Sequence, residues 1–249
     1  FFHHCPATII GITGTKGKTS TTEFLNAIFE EAGYTTAVLN SIRIKTGNKT
    51  QPNAQRMSMP GRFGMQKFFS NAIDNDCTVA IIEMTSEGAA QHRHRFINLD
   101  CLVFTNLAPE HLDSHGSLES YVTAKLSLGR SVIRSSKSRR IIIANADDAL
   151  GEKFLSLRAD ERIPFSIRQV EPYHSNSEGG QFHFGDSTVN IALPGLFSLY
   201  NALAAAVTAK AFGLNEPDIV RGLARVKEIP GRAQAIREGQ SFTVVIDYA

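Results

Sequence analysis

The order of apolar runs along the chain predicts an α/β domain: a mostly parallel sheet flanked by helices, with a small antiparallel hairpin at one edge. Three observations carry this. Short Val- and Ile-rich runs alternate with longer segments of helical period, a glycine-rich turn joins the first run to the first helix, and the alternation breaks once, late in the chain.

Ala7 to Ile12, Thr35 to Leu39, Val79 to Met84, Cys101 to Phe104, Arg140 to Ala144 and Phe242 to Ile246 read as buried strands. Strands covered on both faces of a parallel sheet are apolar throughout rather than alternating. Apolar residues at helical spacing predict helices over Lys18 to Ala32, Phe63 to Asn75, Leu118 to Ile133, Asp148 to Leu157 and Leu199 to Phe212. Phe63, Phe68 and Phe69 share such spacing and are expected in the core. From Ile163 to Leu193 the runs shorten, and Gly179-Gly180 and Gly185-Asp186 mark turns, which predicts the edge hairpin. The last strand stops two residues before Ala249 with nothing to cover it, so the sequence reads as cut from something longer.

Composition narrows the function classes. The 249 residues hold 26 Lys+Arg against 24 Asp+Glu, a net charge of +2, and 42% hydrophobic residues. At about 150 residues per domain this is one large domain or two small ones, and it argues against disordered, collagen-like or coiled-coil chains. A dedicated nucleic-acid binder would show a clear basic excess, so no nucleic acid partner is expected; a nucleotide or anionic metabolite fits the balance. No apolar run nears the roughly 18 residues of a membrane span, and the first residues lack the pattern of a signal peptide, so a cytoplasmic monomer is expected. Cys5, Cys77 and Cys101 lack metal-ligand or disulfide spacing and read as reduced thiols. His3 and His4 are too short a tract for a metal site.

The segment Gly11-Ile12-Thr13-Gly14-Thr15-Lys16-Gly17-Lys18-Thr19-Ser20 follows the first strand and opens a helix. That is the setting of a phosphate-binding loop. Glycines let successive N–H groups converge on an anion, the helix N-terminus adds positive potential, Lys18 can reach terminal phosphates, and the Thr19 hydroxyl can ligate Mg²⁺. Ile12 stands where the standard spacing has glycine. Glu83, at the C-terminal end of a hydrophobic strand, is placed where open α/β sheets hold ligands and can reach the same ion.

Further segments narrow the reading. Thr105 to Gly116, with Glu110, His111 and His115 inside it, is followed by Tyr121-Val122-Thr123-Ala124-Lys125; then come Gly195-Leu196-Phe197-Ser198-Leu199-Tyr200-Asn201, Pro230-Gly231-Arg232 and Val245-Ile246-Asp247-Tyr248-Ala249. In this order and spacing they resemble the Mur ligases, ATP-dependent amide-forming enzymes of bacterial wall precursor synthesis. Glu83-Met84-Thr85-Ser86-Glu87-Gly88 with Gln91-His92-Arg93 looks most like the branch that adds the third residue, the UDP-N-acetylmuramoyl-tripeptide synthetases. The resemblance runs from Ile9 to Ala249. It implies that residues 1–249 are the central ATP-binding domain, with an N-terminal uridine-binding domain and a C-terminal ligase domain outside this chain.

The same resemblance implies roles residue by residue. Gly14, Thr15, Lys16, Gly17, Lys18, Thr19 and Ser20 would bind the phosphates of ATP; Thr19 and Glu83 would hold one Mg²⁺, and His111 with Lys125 a second. Lys125 matches a lysine carbamylated by CO₂. Asn201 would face the adenine, Arg232 the phosphates and Asp247 the ribose. Ser58, Thr85, Gln91 and Arg93 match contacts to a UDP-muramyl dipeptide, whose carboxylate would be activated as an acyl phosphate and captured by a free amino acid. Met59 stands where a second threonine is usual, Glu87 where a histidine is, and Glu110 where an aspartate is; Leu196 and Ser198 alter the glycine-phenylalanine motif. His115 reads as a loop-packing residue. Three other readings stay open on the residues alone: a cyanophycin- or folylpolyglutamate-synthetase-like ligase, a P-loop ATPase or kinase with no use for His111 and Lys125, and a non-catalytic nucleotide-binding module.

Overall fold

The computed structural model describes residues 5–108, 116–236 and 238–248. Its centre is an eight-stranded sheet whose middle strand, β1 (Thr8–Thr13), lies between β5 (Val79–Met84) and β6 (Cys101–Phe104). Beyond β6 come β7 (Ile141–Asn145) and β8 (Glu161–Phe165), all parallel; beyond β5 comes β2 (Thr36–Leu39), also parallel. The far edge is an antiparallel pair, β3 (Arg43–Thr46) and β4 (Lys49–Pro52).

Side chains sort to the two faces by the strand period of two. Ile10, Ile12, Ile81, Val103 and Ile143 pack with Phe24, Leu25 and Ile28 of α1 (Lys18–Glu31), Leu199 and Leu203 of α6 (Leu196–Ala211), and Ile219 and Leu223 of α7 (Glu216–Arg225). Their neighbours Ile9, Ile82, Leu102 and Ile142 meet Met65, Phe68 and Phe69 of α2 (Arg62–Ile73), Leu128 of α4 (Leu118–Ile133) and Phe154 of α5 (Gly151–Leu155). A short α3 (Ser86–Ala90) follows β5. No helix among the described residues is long and apolar enough to cross a membrane, and Cys77 and Cys101 are buried free thiols.

The α/β class and the parallel centre agree with the sequence reading; four local expectations do not. The antiparallel edge of the main sheet is β3 and β4, while β8 continues the parallel order. The expected hairpin does turn at Gly185-Asp186, but β10 (Gly180–Phe184) and β11 (Ser187–Ile191) join β9 (His174–Ser175) in a separate three-stranded sheet. The final run is no buried parallel strand: β13 (Val244–Ile246) pairs antiparallel with β12 (Gln234–Ile236), leaving Phe242 68% and Val245 54% exposed. Phe63 is 85% exposed. Spacings of five and six residues put Phe68 and Phe69 about half a turn round α2 from it, so only they face the sheet. Helix α7 went unpredicted although Asn215 caps it through the Asp218 N–H and Pro217 sits in its first turn, a start signal independent of apolar periodicity.

Candidate functional site

The connection from β1 runs to β2 on one side of it and the connection from β5 crosses to β6 on the other, and the C-terminal ends of β5, β1 and β6 therefore open into a crevice. A cleft of about 720 Å³ lies there. Thr15 to Ser20, Ser41, Glu83, Asn106, Asn201, Arg232 and Asp247 line one arm of it; Arg56 to Met59, Thr85, Glu87 and Arg93 line the other.

The loop after β1 is held on three sides. Thr15 N–H donates to the Asn106 carbonyl at 2.8 Å, Lys16 N–H to Asn106 Oδ1 at 2.9 Å, and Thr105 Oγ1 to the Lys16 carbonyl at 2.7 Å. Thr15 Oγ1 also meets the Tyr121 hydroxyl at 2.8 Å. Glycine is required twice by close approach. A Cβ on Gly14 would fall 1.9 Å from Thr105 Oγ1, and one on Gly17, whose φ is +83°, would fall 2.0 Å from Asn201 Oδ1. Lys18 curls over the loop, its Nζ donating to the Thr15 carbonyl at 2.7 Å.

At the head of α1, Thr19 Oγ1 donates to Glu83 Oε2 at 2.8 Å, and both side chains are buried. Ser41, at the end of β2, completes the group: its N–H reaches Glu83 Oε2 at 3.2 Å and its hydroxyl lies 3.0 Å from Thr19 Oγ1. Arg232 closes the group from the far side, donating to Thr19 Oγ1 at 3.1 Å and to Ser41 Oγ at 3.3 Å. Its guanidinium lies 5.0 Å under the Tyr248 ring, and Asp247 Oδ1 accepts the Ala233 N–H at 3.0 Å. A carboxylate and two hydroxyls at one point are a hard oxygen donor set of the kind Mg²⁺ takes, with room left for water and phosphate oxygens.

Lys125 is 1% exposed, on the buried face of α4, with Nζ 4.6 Å from the centre of the Tyr121 ring. Burial, reinforced by the positive charge of Lys18 and opposed by Asp148, holds its ammonium well below the ordinary lysine range. His111 and His115, like His3 and His4, lie outside the described residues.

The second arm is built from loops. Ser58 and Met59 are buried; the Met59 sulfur accepts the Thr85 N–H at 3.3 Å, and its carbonyl accepts Arg93 Nη1 at 2.6 Å. Thr85 caps α3 by accepting the Gly88 N–H. Ser58, Thr85 and Arg93 are thus brought together, whereas Gln91 is exposed at the end of α3 and does not line the cleft. Sequence reasoning missed Ser41, Tyr121 and Arg56. Ser41 carried a signal, its position just past the C-terminal end of a buried strand; the other two are visible only in the fold.

Residues 12–209 match the family described as the Mur ligase middle domain. A UDP-N-acetylmuramoyl-L-alanyl-D-glutamate--2,6-diaminopimelate ligase of Geobacillus kaustophilus is 32% identical, the alignment covering 97% of this chain and 51% of that protein. A UDP-N-acetylmuramyl-tripeptide synthetase of Roseiflexus is also 32% identical, with the same coverage of 97% and 51%. A solved UDP-N-acetylmuramoyl-L-alanyl-D-glutamate--2,6-diaminopimelate ligase superposes with a TM-score of 0.77 at 26% identity, covering 94% of this chain and 49% of that one. MurF from Acinetobacter baumannii shares the fold, with a TM-score of 0.74 at 19% identity over 96% of this chain and 50% of its own. The chain spans about half the length of the curated relatives it matches. With the family match covering most of its length and the phosphate loop, Glu83 and Arg232 converging at its centre, the chain belongs to the Mur ligase family, through the middle domain.

Proposed function

We propose that this chain is the ATP-binding central domain of a ligase that adds the third amino acid to UDP-N-acetylmuramoyl-L-alanyl-D-glutamate, through an acyl phosphate, in peptidoglycan precursor synthesis. The observation that carries the reading is the Thr19 to Glu83 contact of 2.8 Å at the junction of two cleft arms, one phosphate-binding and one lined by Ser58, Thr85 and Arg93. A triphosphate in the first arm and a carboxylate in the second would meet there.

In this reading Thr19 and Glu83 hold one Mg²⁺, and His111 with Lys125 a second. When bound, the ions neutralise charge on the triphosphate and on the incoming carboxylate. Lys18 and Arg232 act as electrostatic clamps on oxygens that gain charge during transfer, not as acids or bases. Asn201, seated against Gly17, faces the adenine side, and Asp247 the ribose. The burial of Lys125, which disfavours its ammonium form, supports its role as a carbamate: the amine nitrogen bonds to the carbon of CO₂, a proton leaves, and the side chain becomes an anion able to hold metal. The acceptor carboxylate attacks the γ-phosphorus with loss of ADP, and the amino group of the incoming amino acid then displaces phosphate to form the amide.

The test is phosphate release by the full-length protein with ATP and Mg²⁺. Release that needs both the muramyl dipeptide and one amino acid is the expected result and names the third residue. Release indifferent to the dipeptide would overturn the reading and leave an ATPase or a ligase with another acceptor.

A further inference from the structure

We propose that Arg56 forms an anion subsite for the carboxylate of the acceptor that does not react. The inference rests on the ligase reading above and sharpens its substrate arm. An acceptor ending in glutamate brings two carboxylates to the cleft; one is activated, and the other must be matched or left in water. Charge in this arm is otherwise unfavourable. Glu87 lines it, and Arg93, which lines it as well, has its Nη1 already engaged by the protein, donating to the Met59 carbonyl at 2.6 Å and lying 3.7 Å from the Met57 sulfur.

Arg56 lines the same arm, is exposed, and makes no side-chain hydrogen bond or ion pair among the described residues. Its backbone is held where few side chains go, at φ +51°, a conformation that a non-glycine residue keeps only when its surroundings impose it. The surroundings do. Arg56 N–H donates to the Asn53 carbonyl at 2.9 Å, and buried Asn53 ties the loop down through Nδ2, which donates to the Asn40 carbonyl at 2.7 Å and the Met57 carbonyl at 2.9 Å. A solvated surface arginine needs no such anchoring. A planar, always charged fork rooted in a fixed loop at the cleft wall is suited to grip a carboxylate through two parallel hydrogen bonds.

The experiment compares two acceptors in the full-length protein: UDP-N-acetylmuramoyl-L-alanyl-D-glutamate, and the analogue in which the non-reacting carboxylate is a carboxamide. The wild type is expected to prefer the acid by about tenfold in kcat/KM, expressed in KM with kcat little changed. Arg56→Gln, which keeps the backbone demands and packs against nothing, should bring that ratio to near one, and Arg56→Lys should restore part of it. A ratio that Arg56→Gln leaves at the wild-type value would overturn the subsite alone. Absence of dipeptide-dependent turnover in the wild type would instead overturn the ligase reading, and the subsite with it.

Discussion

The two arms of the cleft are made differently. In the phosphate arm the polar groups sit at the ends of central strands and are themselves buried: Thr15, Thr19 and Glu83 are each less than 7% exposed, and each is bonded to a neighbour on another element. In the acceptor arm most of the residues stand on connections, with Arg56 in a left-handed conformation and Met57 39% exposed. Parallel strands fix their C-terminal ends relative to one another to within the hydrogen-bond register, which in the proposed reading holds the groups of phosphoryl transfer in place. Loops are free to change without unfolding the sheet, and in the proposed reading the acceptor is recognised on them.

If that division holds, substitutions in the two arms should fail in different ways. Lys18→Ala and Glu83→Gln should each lower kcat by about a thousandfold, since each removes a group acting on the transferred phosphate, while dipeptide binding persists. Steady-state kinetics of ADP formation checks this; a change confined to KM would break the comparison.

The acceptor arm should also be the more acid-sensitive. His94, in the segment that carries Arg93, is 8% exposed with no partner for Nδ1 among the described residues, and burial, with the charges of His92 and Arg95, pushes its pKa down to about 4. Its folded value lies below the unfolded one, so unfolded chains bind more protons in this range. The stability it protects is complete above about pH 6.5 and is lost as pH falls towards 4, by up to about 3 kcal/mol. Denaturant midpoints between pH 7 and pH 4 should show this loss, and His94→Leu should flatten the slope.

Lys125, buried on α4, tests the proposed carbamate. Lys125→Gln should cost about a hundredfold in turnover, and only the wild type should lose activity when CO₂ is removed and regain it with bicarbonate. Activity indifferent to CO₂ in the wild type would remove the carbamate and with it the second metal. A smaller effect is expected at Ser58: Ser58→Ala should raise the dipeptide KM about tenfold and leave kcat within a factor of about two. The smallest belongs to Phe63, whose exposure predicts that Phe63→Ser changes stability by less than about 0.5 kcal/mol.

Much of the phosphate arm was legible from order alone. A strand, a glycine-rich turn, Gly17-Lys18-Thr19 and a helix are contiguous, and local sequence determines their geometry; Glu83 was legible because a long apolar run ending in an acid marks a strand end. The α/β class followed from the same alternation. Only the tertiary structure decided which segments meet across the chain: that Ser41 joins Thr19 and Glu83, that the Tyr121 hydroxyl meets Thr15, that Met59 turns its sulfur to the Thr85 N–H, and that the last strand pairs outside the main sheet. The contacts of Ser41 with Thr19 and of Met59 with Thr85 span 22 and 26 positions, and that of Arg232 with Thr19 spans 213. Periodicity reports which face of an element is apolar, but not which element will cover it, and so it misplaced Phe63 and the run from Phe242 while placing the five strands at the centre of the sheet.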